Sequence, residues 1–180
     1  MKRRSAGLLV YRFVANGIEI LAVHPGGPFW AKKDKGAWSI PKGELEKDDA
    51  SRPAQDIAGE DLHLEDVYAA ARREFAEEIG MPAPVGDALD LGEVRQAGGK
   101  IVRAFALRFD DADDPLSRDP SKVLAINSNL VELEWPRGTG TVTSFPEVDK
   151  AEWMSPDTAR EKLLPSQVAF VDRLLEQLGT

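Results

Sequence analysis

One run, Ala69 to Met81 (A-A-A-R-R-E-F-A-E-E-I-G-M), constrains this chain more than any other. It holds strong helix formers and no proline, and Gly80 stands where a helix would stop. At 3.6 residues per turn, Glu74, Glu77 and Glu78 fall at i, i+3 and i+4, so the spacing predicts that their carboxylates converge. Tyr68, Ala71, Phe75 and Ile79 occupy a separate arc, roughly 110° around the axis. One side of the helix therefore packs while another presents three negative charges. Such a patch repels itself unless a cation sits among the carboxylates, and a hard divalent ion such as Mg²⁺ or Mn²⁺ suits oxygen donors. Arg73, four residues before Glu77, is placed to pair with it and orient it. A solvated acidic face is the alternative for any three helical glutamates.

The full pattern R-E-x-x-E-E-x-G is sharper than the three glutamates. It fixes residue types whose joint chance occurrence is ~10⁻⁴ over a chain of this length. Arg73 to Met81 resembles the second half of the Nudix box, G-x5-E-x7-R-E-U-x-E-E-x-G-U with U apolar, and Glu65 stands where the box has its first glutamate. Upstream, Trp38-Ser39-Ile40-Pro41-Lys42-Gly43-Glu44 resembles the segment that enters this box. The first half departs from the family: 21 residues separate Gly43 from Glu65, where the box has five. Gly59 lies at the family's spacing. Two readings stand. Either Gly43 is the box glycine and about residues 47–64 are an insert, or Gly59 is; Trp38, Pro41 and Glu46 accompany Gly43 as in the family and favour it.

Composition excludes several classes. With 180 residues and 42% hydrophobic content, the chain suits a single domain spanning 1–180. No run approaches 18 apolar residues, and no signal-peptide core follows the basic start, so no membrane partner is expected and a cytoplasmic location follows. Cysteine is absent, which removes disulfides and thiolate zinc sites. A net charge of −8 argues against a long nucleic-acid partner but permits a small phosphorylated ligand beside a metal.

Along the chain, Ala6–Phe13 and Ile18–Val23 read as a hairpin turning at Asn16-Gly17. The loop His24–Ala37 carries Phe29, Trp30 and the lysines 32, 33 and 35, a candidate for stacking and phosphate contact. Leu91–Gln96 and Lys100–Phe109 read as a second hairpin around Gly98-Gly99. Asp110–Pro120 reads as an acidic loop and Ser121–Ile126 as a weak helix. Leu130–Trp135 reads as a strand and Pro136–Phe145 as a Gly/Thr loop. C-terminal helices are expected over about 156–178, the first capped by Ser155 and the last by Ser166. The apolar stripe of the last helix reads as core packing, with a dimer face as the alternative; a monomer or homodimer is expected.

The resemblance implies an α/β fold, a Nudix α/β/α sandwich with a mixed β-sheet. It also implies metal-dependent hydrolysis of a pyrophosphate bond in a nucleoside diphosphate linked to another group. The order of motifs is similar to the bacterial predicted NTP pyrophosphohydrolases, near the diadenosine tetraphosphate hydrolases. A dinucleoside polyphosphate or nucleoside triphosphate is the expected nucleotide-type substrate, with ADP-ribose, nucleotide sugars or diphosphoinositols as alternatives. Glu74, Glu77 and Glu78 are the implied ligands of Mg²⁺ or Mn²⁺, with Arg73 beside them. Glu147, five residues before Glu152-Trp153, matches an extra glutamate of the MutT enzymes as further ligand or base, with Asp149 and Glu152 as the alternatives. Lys42, Gly43, Trp38 and Lys33 are the expected substrate-binding residues. A catalytically inactive nucleotide-binding or sensor module of the same fold is the competing class.

Overall fold

The computed structural model describes residues 3–45, 60–109 and 128–180, with the side chains of 60–66 outside that description. Strand β1 (Arg4–Val14) turns into β2 (Gly17–Pro25), antiparallel, with Val14 opposite Gly17. Ala15 and Asn16 therefore form the turn, one residue earlier than the Asn-Gly signal indicates. Gly17 takes a φ of 131° at the first position of β2, and no described non-glycine residue adopts positive φ.

A short β3 (Lys42–Glu44) pairs with the first part of β1, on the edge that β2 occupies further along. Strands β4 (Leu89–Arg95) and β5 (Ile101–Arg108) form the expected second hairpin. β5 lies parallel to β1, from Arg4 beside Ile101 to Tyr11 beside Arg108. With β8 (Val148–Met154), the sheet runs β4-β5-β1-β2-β8 and is mixed.

Period-two alternation distributes β1 between two cores. Ala6, Leu8 and Val10 face helix α1 (Glu60–Ile79), packing with Ala71, Phe75 and Ile79. Leu9 and Tyr11 face the other side, where α2 (Pro156–Lys162) and α3 (Val168–Leu178) supply Ala159, Phe170, Val171 and Leu174. The sheet is thus covered on both faces. Phe75 is fully buried, and Phe75→Ala would cost about 3–5 kcal/mol. Helix α1 begins nine residues before Ala69, taking up the last residues of the insert at 60–64, and stops at Gly80 with a φ of 80°.

Two expectations need correction. Val142–Pro146 is not loop but strand β7, paired antiparallel with β6 (Leu130–Glu134) as a separate two-stranded sheet. Its β-branched Val142 and Thr143 fit an extended backbone, which outweighs the turn composition just before them. Ser166 does not cap α3. It lies in a 3-10 turn, Pro165–Gln167, and the helix starts after Gln167 without a side-chain cap. Ser155 does cap α2, its hydroxyl accepting from the Thr158 amide at 3.3 Å. The stretch from Lys47 to Gly59, the acidic loop 110–120 and the weak helix 121–126 lie outside the described residues. No described helix is long and apolar enough to cross a membrane.

Candidate active site

A cleft of about 630 Å³ opens where β3 lies across α1, lined by Lys42, Gly43, Glu44, Arg73, Glu74, Glu78, Lys100 and Glu147 together with Val23, Pro25, Ser39 and Val148. Its first wall is built by close approach. A Cβ added at Gly43 would fall on the carboxylate of Glu74, so any other residue here would push that carboxylate out of its place. Gly43 is therefore seated at the helix carboxylates, while Gly59 lies outside the described residues. One turn further along α1, Glu78 is buried and its Oε2 accepts the Lys42 amide at 3.0 Å.

Burial sets the electrostatics of this wall. Glu78 is pushed up to about 8, chiefly by loss of solvent; Lys42 opposes the rise, while Glu147 and Glu74 add to it. Glu74 is also raised by burial, against the pull of Arg73. The Lys42 ammonium is lowered by burial, with Glu78 and the other carboxylates working against that and Lys100 assisting. The wall is a desolvated set of acids and bases, each dependent on the others for its charge.

What holds β3 in place comes from the segment before it. Val23 and Ser39 exchange backbone hydrogen bonds at 2.8 and 2.9 Å. The buried Gln167 side chain accepts from the Ile40 amide at 2.9 Å and donates to the Ser39 hydroxyl at 3.0 Å. Trp38 donates its amide to Lys162 and accepts from Leu164, both through backbone groups. Its ring is 2% exposed, and its indole N–H donates to Asp34 at 2.8 Å.

The second wall carries Pro25, Glu147 and Val148. Between His24–Lys150 and Pro25–Val148 the β2–β8 register slips, leaving Asp149 as an extra residue. Asp149 Oδ1 lies 2.7 Å from His24 Nδ1, while His24 Nε2 donates to the Lys33 carbonyl at 2.8 Å. This links the lysine-bearing loop to β8 beside Glu147.

The structure brings Glu74, Glu78, Glu147, Arg73, Lys42 and Gly43 to one cleft. It does not bring Glu77, Trp38 or Lys33 there. Trp38 is a core residue that positions β3, because its ring is large enough to fill the layer under α2. Lys33 instead sits over the Trp30 ring, 4.6 Å from its centroid. Arg73 bonds mainly to its neighbour Glu74, at 2.8 Å, and reaches Glu77 only at 3.4 Å. The expected convergence of three helical carboxylates is therefore not seen. Glu77 is 41% exposed, and among the described residues no three acidic or imidazole groups form a metal-holding cluster. The donors present are nonetheless all carboxylate oxygens, buried at Glu78 and exposed at Glu147. That suits a hard cation held by one or two carboxylates, with phosphate oxygens and water completing its shell.

Lys100, absent from the expected site, also lines the cleft and bonds Glu44 at 3.3 Å. Ile101 pairs with Arg4 and Glu44 with Ser5, so both residues flank the start of β1. Only that long-range pairing reveals Lys100; its one local signal is the adjoining Gly98-Gly99 turn.

Comparison with known proteins agrees with this architecture. Residues 1–175 match the family model of the NUDIX domain. The fold is similar to the NUDIX domain of Shewanella oneidensis NrtR in complex with ADP ribose, with TM-score 0.59 and 12% identity, covering 99% of this chain and 89% of that one. It is similar to a C. elegans Ap4A hydrolase binary complex, with TM-score 0.55 and 19% identity, covering 98% of each chain. A NUDIX hydrolase from Alicyclobacillus acidocaldarius gives TM-score 0.58 at 18% identity, covering 96% of this chain and 90% of that one. No curated protein matches the sequence.

Proposed function

The chain belongs to the NUDIX family, and from that membership we propose that it hydrolyses a pyrophosphate bond in a nucleoside diphosphate linked to another group, with a divalent cation. A dinucleoside polyphosphate or a nucleoside triphosphate is the favoured substrate. The observation that carries the reading is the buried Glu78 carboxylate, held on the Lys42 amide beside Glu74 in a cleft that also exposes Glu147 and Lys100.

Glu74 and Glu78 would hold Mg²⁺ or Mn²⁺, with Glu77 and Glu147 as the further candidates. Such an ion supplies neutralisation of phosphate oxygens and acidification of a bound water. Lys42 and Lys100 are the cations available to the remaining phosphate oxygens. Gly43 keeps the main chain of β3 open to the substrate. Arg73 holds Glu74 in orientation through its 2.8 Å bond. Glu147, on the opposite wall, is the candidate to accept the proton of the attacking water or to add a ligand.

A second reading follows from the separated carboxylates. With no described three-carboxylate cluster, the domain would bind a nucleotide without cleaving it. Hydrolysis of diadenosine polyphosphates, nucleoside triphosphates, ADP-ribose and diphosphoinositols, with Mg²⁺ and with chelator, separates the two. Metal-dependent cleavage that falls about a hundred-fold or more in Glu78→Gln supports the enzyme. Full activity of that variant overturns the carboxylate–metal model. Ligand-induced stabilisation without turnover of any compound supports the binding module.

A further inference from the structure

His24 is a buried polar side chain that the chemistry of the cleft does not use. It stands near the end of β2, 2% exposed, with the Trp38 ring edge-on at a centroid distance of 5.2 Å. Its two ring nitrogens are both engaged, Nδ1 with Asp149 Oδ1 at 2.7 Å and Nε2 with the Lys33 carbonyl at 2.8 Å. Asp149 is the extra residue of the β2–β8 register slip, so no residue of β2 stands opposite it in the ladder. The side chain of His24 is what it meets instead.

That extra residue decides what β8 turns toward α1. Side chains alternate along a strand, so residues three apart belong to opposite faces. Val148, Ala151 and Trp153 nevertheless all pack in the core on the α1 side. Val148 joins the other two because Asp149 is out of the ladder. Its neighbour Glu147 is tied through the main chain on both sides: the carbonyl accepts from the Gly26 amide at 3.0 Å, and the amide donates to the Asn129 carbonyl at 2.8 Å. The Val148 amide donates to the Ser128 hydroxyl at 2.9 Å. Glu147 and Val148 both line the cleft. Closing the bulge would slide the strand by one residue, about 3.3 Å, and carry Glu147 with it. Misplacement of a catalytic group by about 1 Å already costs roughly a hundred-fold in rate.

We propose that His24 is a positioning residue for Glu147: by holding Asp149 out of the ladder, it keeps β8 in the register that presents Glu147 to the cleft. This rests on the hydrolytic reading of the cleft, but the register itself is measured without turnover. An Asn side-chain nitrogen stands where Nδ1 does, and a Gln side-chain nitrogen where Nε2 does. His24→Asn therefore keeps the bond to Asp149 and gives up Lys33, and His24→Gln does the opposite; both lose the ring against Trp38. Amide hydrogen exchange of the cation-free full chain at Glu147 and Val148 is expected to stay near wild type in His24→Asn and to run roughly ten-fold faster in His24→Gln, with α1 exchanging alike in both. Asp149→Ala, which leaves the buried ring in place, is expected to speed the same amides. In hydrolysis with Mg²⁺, kcat is expected to fall about ten-fold or more in His24→Gln and less than about three-fold in His24→Asn, with KM little changed. In a Glu147→Gln background His24→Gln costs nothing further, because the group it positions is already gone.

Equal exchange in the Asn and Gln variants makes His24 a packing residue only and overturns the proposal. So does unchanged exchange in Asp149→Ala, or a His24→Gln loss of kcat that adds in full to that of Glu147→Gln. The expected exchange pattern in a protein that turns over no substrate sinks the hydrolase reading and leaves the role of His24 in the β8 register standing. Metal-dependent hydrolysis that neither His24 variant alters does the reverse.

Discussion

The two walls of the cleft are built in opposite ways. The wall of β3 and α1 is rigid by construction: Gly43 admits the Glu74 carboxylate, the Lys42 amide binds Glu78, and Gln167 fixes Ile40 behind them. The wall of Glu147 continues into a hairpin outside the main sheet, attached through Gly26 and Gly27 and exposing Leu130 and Val142. Buried, mutually satisfied polar groups suit chemistry, because desolvation strengthens each charge and holds it in place. An exposed hairpin outside the main sheet suits recognition, since it can adapt without disturbing Glu74 and Glu78.

The sharpest break in this comparison is a pair of glycine substitutions. Gly43→Ala drives a methyl into Glu74 and is expected to lower kcat roughly a hundred-fold, since misplacement of a catalytic group by about 1 Å costs that much. Gly26→Ala drives a methyl into the Pro146 carbonyl, next to Glu147, and is expected to raise KM about ten-fold and to lower kcat less than Gly43→Ala does. Steady-state kinetics on both variants checks this. Equal losses of kcat would show that the walls are one unit.

A smaller effect concerns the first wall alone. Glu78 sits at about 8 when folded, above its ordinary value near 4.5, so the folded state holds its proton more tightly than the unfolded chain. That contribution is complete below the ordinary value and declines as pH rises through the window up to about 8. Melting of the cation-free protein from about pH 5 to about pH 8 is therefore expected to show a downward slope that Glu78→Gln flattens. Mg²⁺ at the upper end should recover the wild type by a few degrees and the variant by less. Matching slopes with and without the carboxylate would remove Glu78 as the source.

The smallest effect is expected at Lys33, whose ammonium faces Trp30 outside the cleft lining. Lys33→Ala should change KM less than about two-fold. A larger rise would place the loop over the bound substrate and join the recognition surface to the phosphate site.

The two walls also differ in how readable they were. The glutamates of α1 and its apolar face were visible because helical spacing is local: Glu74 and Glu78 share a face wherever the helix is placed. The neighbours of Gly43 single it out in the sequence, and the structure sets it against the Glu74 carboxylate. The motif assigns Trp38 to the substrate because a motif does not show whether an aromatic ring faces ligand or core; in the fold its indole N–H and both backbone groups are engaged. Strand β7 reads as loop in the sequence, because its Thr and Gly neighbourhood signals a turn until β6 is set beside it.

The sequence by itself determined the mixed α/β sandwich, the acidic helix and the family, because periodicity and a spaced motif are properties of the chain read in order. Only the tertiary structure decided which charges share a volume. Lys100 reaches the cleft through the parallel pairing of β1 with β5, and Glu77 is left at its margin by the rotation of α1. The Phe29–Trp135 contact joins residues 106 positions apart in the chain. Such pairings depend on strand register and helix orientation, which are set by the whole core and written in no single segment.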